Sequence, residues 1–215
     1  DTRTSIDQEN EKLINARSQL VTSKAELNES QRSRKRTLAK LNSSIKGKSL
    51  ELEKLNNDQK RLEQLLKEVE KAIANLKLPE DSRPFSQLKS KLPWPTRGKV
   101  TEYYGSRLAG GKLRRNGVII ETNSAIQVNA VHYGRVVFSD WIRGFGLMTI
   151  IDHGGGYMSL YGHNKSLLKE IGDWVRTGET IAYSGNSGGQ QETGLYFEIR
   201  KNGRPQNPLK WLQRK

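Results

Sequence analysis

The chain has 215 residues, 37 Lys+Arg against 23 Asp+Glu, a formal net charge of +14, 33% hydrophobic residues and no cysteine. Without cysteine there is no disulfide scaffold, no cysteine nucleophile and no thiolate zinc site. No run of about 18 apolar residues occurs, so the sequence offers no segment that spans a membrane.

The apolar residues are unevenly spread. All four Trp, all seven Tyr and all four Phe lie at or beyond Phe85, so two regions of different physics share the chain. Residues 1–78 carry 17 basic and 12 acidic residues, and residues 79–215 carry 20 and 11. This charge permits nucleic acid, an anionic membrane surface or an anionic wall polymer as partner. No recognised nucleic-acid motif accompanies it, which argues against nucleic acid. The chain opens Asp1-Thr2-Arg3 inside a periodic pattern, without a start Met or a signal peptide. It reads as a fragment whose targeting segment has been removed.

Residues 1–78 predict a coiled-coil helical arm. Steps of seven from Ile6 meet Leu13, Leu20, Leu27, Leu41, Leu55, Leu62, Val69 and Leu76, with Arg34 and Lys48 as the polar exceptions. Leu38, Ile45, Leu52, Leu66 and Ile73 supply the second core position. Before Leu38 that position is polar, at Asn10, Arg17, Lys24 and Gln31, so the seam is well made only from Leu38 to Leu76. Gly47 is the one glycine of this region and a weak point. An apolar seam needs a covering helix: another chain, a segment outside this sequence, or a fold-back near Asn42–Ser49. The arm is either a rigid spacer or dimeriser, or a docking and regulatory arm.

Pro79 stops the helix. Residues 79–92 predict a linker with room for one short helical turn, and a candidate regulatory segment. From Pro93 the period changes to two, and residues 93–215 predict an antiparallel all-β domain. Strands are expected near Gly98–Tyr104, Gly117–Glu121, Ala125–Asn129, Gly134–Asp140, Leu147–Asp152, Tyr157–Tyr161, Thr180–Ser184 and Leu195–Arg200. Lys165–Ile171 is expected as a short helix or turn.

Three stretches, PWPTRGKVTEYYGSR at 93–107, NAVHYGRVVFSDWIRGFGLMTIIDHGGGYMSLYGHN at 129–164 and IGDWVRTGETIAYSGNSGGQQETGLYFEIRKNGRPQNPLKWL at 171–212, carry a family resemblance. Together they are similar to the LytM/lysostaphin-type domain of bacterial cell-wall endopeptidases. That resemblance implies zinc held by the His and Asp of an H-x-G-x-D stretch and by the second His of H-x-H. Here the first stretch falls on Arg115-Asn116-Gly117-Val118-Ile119 and the second on Gly194-Leu195-Tyr196. The ligand positions are therefore Arg115, Ile119 and Tyr196. A guanidinium repels a cation, an isoleucine has no lone pair, and a neutral phenol is a poor ligand. His163, in Tyr161-Gly162-His163, alone keeps its family identity. A relocated site of His132, His153 and His163 is not expected, because their motifs sit on separate strands and turns. No serine stands on a nucleophile elbow. No metal, cofactor or catalytic residue is expected, and the chain is read as a non-enzyme.

Alternation on the last long strand puts Tyr196, Glu198 and Arg200 on one face and Phe197 and Ile199 on the other. By the family fold the Tyr196 face is the floor of the former active-site groove, with Ile119 beside it and Tyr161 and His163 on a neighbouring strand. Leu147 and Met148 are expected to extend its apolar wall, with Arg115 at its edge. Aromatic, aliphatic and arginine side chains make a protein-binding surface.

The coiled coil, the linker and the degenerate domain together resemble the EnvC-type murein hydrolase activators, most closely at GFGLMTIIDHG, MSLYGHN and GLYFEIR. The resemblance implies a periplasmic, non-catalytic activator of a zinc-dependent N-acetylmuramyl-L-alanine amidase at the division septum. It further implies a coiled coil that docks on an FtsE–FtsX-type membrane complex, and a helix able to restrain the groove. The partner-binding residues it implies are Ile119, Tyr161, His163, Tyr196, Arg200, Met148, Leu147 and Arg115. Peptidoglycan is a further partner that the charge permits. The alternatives are a wall-binding scaffold and an active zinc endopeptidase.

Overall fold

The computed structural model describes residues 2–73, 83–108, 111 and 113–214. They fall into two units, Asp1–Glu51 and Leu52–Lys215.

Helix α1 (Thr2–Ile73) is continuous, with no proline to interrupt its hydrogen bonds. The expected extension to residue 78 lies outside the described residues. In the first unit the helix does not fold back at Asn42–Ser49, and Leu20, Leu27, Leu38, Leu41 and Ile45 are all exposed. The seam in this stretch is solvated. Among the described residues no helix of the chain is long and apolar enough to cross a membrane.

In the second unit the same seam is buried, but against a sheet. Leu62, Leu66 and Val69 join Ile119, Met148, Ile150, Met158, Leu160 and Tyr196 in one apolar cluster. The expectation that the seam takes a coiled-coil partner is corrected here. From Leu62 to Val69 its cover is the chain's own β-domain. Burying three aliphatic side chains at about 1.5–3 kcal/mol each makes this contact worth roughly 5 kcal/mol.

Among the described residues the domain has twelve strands: β1 (Lys99–Glu102), β2 (Arg107–Leu108), β3 (Leu113–Arg114), β4 (Val118–Glu121), β5 (Gln127–Asn129), β6 (Gly134–Ile142), β7 (Gly146–Asp152), β8 (Tyr157–Leu167), β9 (Trp174–Val175), β10 (Thr180–Ser184), β11 (Gly194–Lys201) and β12 (Arg204–Gln206). The main sheet runs β1-β4-β11-β8-β7-β6-β9, with β10 joining β5 to β8 and β12 flanking β11. Its pairings are antiparallel throughout. β2 and β3 form a separate hairpin. All eight expected strands are present. The two-residue strands β2, β3 and β9 and the short β12 were not expected, being too brief to show a period. The stretch expected as a helix or turn at Lys165–Ile171 instead begins as the end of β8.

The sheet has two apolar faces. One meets α1. The other packs Val118, Ile120, Ile151, Tyr161, Leu195, Phe197 and Ile199 against Phe85, Leu92 and Trp211. Residues 79–82 of the expected linker lie outside the described residues, but the rest of it is built into the domain. Phe85–Leu88 forms a 3-10 turn, the Phe85 ring stacks on His153 and Tyr157, and Leu92 pairs with Leu212. Gly117 shows why its motif needs glycine: a Cβ there would stand 2.5 Å from the Phe197 carbonyl oxygen and 3.0 Å from the Tyr196 ring.

Gly47 lies within α1, and a Cβ added there meets nothing within 4 Å. Gly47→Ala is expected to stabilise the helix by about 1 kcal/mol, read as a rise in the melting temperature of the helical circular-dichroism signal.

Candidate functional site

The groove that holds Ile119 and Tyr196 lies on the α1 face of the sheet. Register places Tyr196 of β11 beside Ile119 of β4 and Gly162 of β8. Two of the three degenerate ligand positions are thus adjacent, as their motifs implied. The third, Arg115, precedes β4 and makes an ion pair with Glu102. His163 joins them from β8. Its ring lies 6.0 Å from Tyr196, edge to face, and 6.4 Å from Phe145.

Tyr161 does not join them. Its side chain belongs to the opposite face, where it packs on Phe197 and its hydroxyl accepts from the Val131 N–H at 3.0 Å. Strand alternation would put residues 161 and 163 on one face. His163 escapes it through a left-handed backbone, φ 61°, beside an irregular register between β7 and β8. That conformation is uncommon for any residue but glycine. Met148 lies fully buried in the cluster under α1. Leu147 is half-buried and in neither apolar cluster, so the expected apolar wall is carried by Met148, Ile150 and Phe145.

The groove floor is a polar network in an apolar setting, in which Arg200 Nη2 is buried without a hydrogen-bond partner among the described residues. Tyr196 Oη donates to Glu198 Oε2 at 2.6 Å, and Arg200 Nε donates to Glu198 Oε1 at 2.6 Å. Arg200 Nη1 also donates to the Gly203 carbonyl at 3.1 Å. Glu198 is fully buried and Arg200 nearly so. The arginine expected as a groove contact is therefore spent on neutralising Glu198. Burial, with the Glu198 charge beside it, holds the Tyr196 phenol well above its ordinary pKa. It stays a neutral donor. Arg115, Ile119 and a protonated Tyr196 do not fit a zinc ion, and no step through a metal is derived. Among the described residues no group of three His, Cys, Asp or Glu side chains is placed to hold a metal. His132 and His153 do meet, with ring centroids 5.7 Å apart, but both belong to the Phe85 cluster and His163 does not.

His163 is fixed as a neutral ring. Nδ1–H donates to the Ser187 carbonyl at 2.9 Å, and Nε2 accepts from the Gln190 amide at 3.1 Å. Ser187 in turn accepts from the Leu147 N–H and donates to the Asn164 carbonyl. Burial pulls the His163 pKa down to about 4, with Arg115 adding in the same direction against the Ser187 hydrogen bond.

Helix α1 covers the floor. Besides Leu62 and Leu66, Asp58 approaches Arg143 at 3.5 Å and Gln59 donates to the Arg114 carbonyl at 3.1 Å. A Cβ on Gly144, which has φ 84°, would stand 2.7 Å from Asp58. Between helix and sheet remains a cavity of about 110 Å³ bordered by Leu55, Gln59, Arg115, Phe145, His163 and Tyr196. A second, open recess of about 340 Å³ continues the groove past Ile119 and His163 to Gln190 and Glu192. Sequence reasoning missed Asp58, Phe145, Ser187 and Gln190. Only Leu62, Leu66 and Val69 left a trace, as part of the heptad seam.

The fold and this floor define an antiparallel β-domain that carries, at residues 115, 119 and 196, an aromatic, aliphatic and basic surface. Residues 114–208 match the family model Peptidase family M23. It is 46% identical over 121 residues to the murein hydrolase activator EnvC of Escherichia coli, covering 56% of this chain and 29% of that protein. It is 38% identical over 120 residues to the murein hydrolase activator NlpD of the same organism, covering 55% and 30%. The matched stretch thus spans less than a third of either relative. A zinc-containing peptidase from Vibrio cholerae shares the fold, with a TM-score of 0.53 and 22% identity over 57% of this chain and 40% of that one.

Two outcomes follow. Tyr196→Phe removes one of the two side-chain donors to buried Glu198, and is expected to destabilise the domain by about 1–3 kcal/mol in chemical denaturation. The second concerns pH. His163 and His153 have folded pKa values of about 4 and about 3, below the ordinary 6.5. The unfolded rings take up protons that the folded ones exclude, so stability is full above pH 6.5 and falls on acidification toward pH 4. The denaturation midpoint is expected to be flat above pH 7 and to drop by a few kcal/mol equivalent by pH 4.

Proposed function

We propose that the chain is a non-catalytic activator of a periplasmic cell-wall N-acetylmuramyl-L-alanine amidase, working at the division septum through the metal-free groove. The observation that carries the reading is the occupant of that groove. Leu62 and Leu66 of an amphipathic helix sit on Ile119, Met148 and Tyr196. A surface that seats one amphipathic helix can seat another of similar face. In this reading α1 is the restraining helix and holds the activator off. The named activators among its relatives support the role, and the donor chemistry at Arg115, Ile119 and Tyr196 supports a binding rather than a cutting site.

The activating step is a population shift. A partner helix competes for the groove only in the fraction of molecules where α1 has lifted, and its apparent affinity is reduced by that fraction. The exposed leucines of the arm, between Leu20 and Ile45, are where a membrane complex of FtsE–FtsX type would grip the coiled coil and bias α1 toward release. Amidase autoinhibition would be relieved when its own helix enters the groove.

The test is release of labelled fragments from purified cell wall by a septal amidase, with and without the chain. Leu62→Glu with Leu66→Glu is expected to raise stimulation at least tenfold over the unmodified chain. Ile119→Glu added to that pair is expected to abolish it. Stimulation indifferent to all three substitutions would remove the groove from the mechanism, and wall cleavage by the chain alone would remove the non-catalytic reading.

A further inference from the structure

A third, larger cavity of about 720 Å³ lies apart from the groove and shares no residue with it. Trp94, Arg97, Gln127, Asn129, Tyr183 and Gln213 supply its side chains with chemistry to offer. Its walls are tied together across distant parts of the chain. Trp94 Nε1–H donates to the Gln213 carbonyl at 2.9 Å, Thr96 Oγ1 to the Gln127 carbonyl at 2.9 Å, and the Asn129 N–H to the Pro95 carbonyl at 2.7 Å. Thr180 Oγ1 donates to Asn129 Oδ1 at 3.0 Å, which fixes that carboxamide with its NH2 as the remaining donor. The recess is therefore preformed.

Its polar ends are uncommitted. The Arg97 guanidinium, the Gln127 carboxamide and the Tyr183 hydroxyl make no hydrogen bond or ion pair to the described residues. Two aromatic rings, three carboxamides and one guanidinium around one cavity form a specific set. Ring faces take the C–H faces of a sugar. Carboxamides pair with an acetamido group, one donating and one accepting. A guanidinium takes a carboxylate, best by two parallel bonds.

We propose that this cavity binds an N-acetylated amino-sugar strand bearing free carboxylates, the glycan that remains when the peptide is removed from the lactyl groups of the cell wall. The choice of ligand rests on the cell-wall reading above, but the site does not involve the groove. An activator holding the glycan that its amidase has just stripped would stay at the place of cutting. Arg97 is the discriminating residue, because the lactyl carboxyl carries charge only after the amide is cleaved.

Binding is measured by titration calorimetry on the full chain. The probes are a neutral N-acetylglucosamine tetramer and denuded wall glycan, with peptide-bearing glycan as comparison. Saturable binding is expected for the tetramer and the denuded strand, tighter for the latter and weaker for the peptide-bearing one. Tyr183→Ala and Gln127→Ala are expected to weaken both by at least tenfold. Arg97→Gln is expected to erase the preference for the denuded strand while sparing the tetramer. All three positions are partly or fully exposed, and near-ultraviolet circular dichroism checks the fold. No saturable binding at millimolar ligand, or binding unmoved by the three variants, overturns the proposal. Ile119→Glu is expected to leave glycan binding intact, so loss of amidase stimulation and loss of glycan binding fail separately.

Discussion

The packing of Leu62, Leu66 and Val69 against Ile119, Met148 and Tyr196 is the contact on which the rest of the domain's arrangement depends. Without it the sheet would present a large apolar face to water, which soluble proteins rarely tolerate. The same contact completes the desolvation of Tyr196, Glu198 and Arg200. A buried carboxylate is costly unless paired and hydrogen-bonded, and Glu198 has both, from Arg200 and Tyr196. The apolar layer and the polar network beneath it are thus stabilised together. The helix makes the surroundings dry, and the network makes that dryness tolerable.

A zinc site and this floor are exclusive solutions for the same strand positions. Metal ligands must offer lone pairs to a cation. At residues 115, 119 and 196 the chain instead places a permanent cation, an aliphatic side chain and a phenol held protonated. Their common property is that they pack. Ile119 and Tyr196 are paired across β4 and β11, and Gly117 lets the chain approach Tyr196 closely. The result is a surface with shape, apolar area and a fixed electrostatic pattern.

Much of this was legible in the residues. The heptad pattern announced a buried stripe, and the glycine-separated runs announced the strands. What periodicity cannot report is the identity of the cover. Leu41 and Leu62 occupy equivalent heptad positions, yet one is solvated and the other is 1% exposed. Only the tertiary fold brings a sheet to the second. The placement of Tyr161 went astray for a related reason. The strand period held, and it sent Tyr161 to the opposite core. The exception was His163, whose left-handed φ no local motif declares. The residues that lock it, Ser187 and Gln190, come from a glycine-flanked loop with no signal beyond its turn chemistry.

Covering the groove with a tethered helix also sets the terms on which any partner enters it. A segment of the same chain competes at an effective concentration that an external helix must match or exceed. A contact of roughly 5 kcal/mol would leave the groove open in only about one molecule in several thousand, and would weaken an external ligand by that factor. Tight control therefore does not require tight partner binding. It requires a force or ligand that acts on α1 somewhere other than the groove. The exposed apolar residues of the first unit, on the same continuous helix, are the part of this chain on which such a ligand could act.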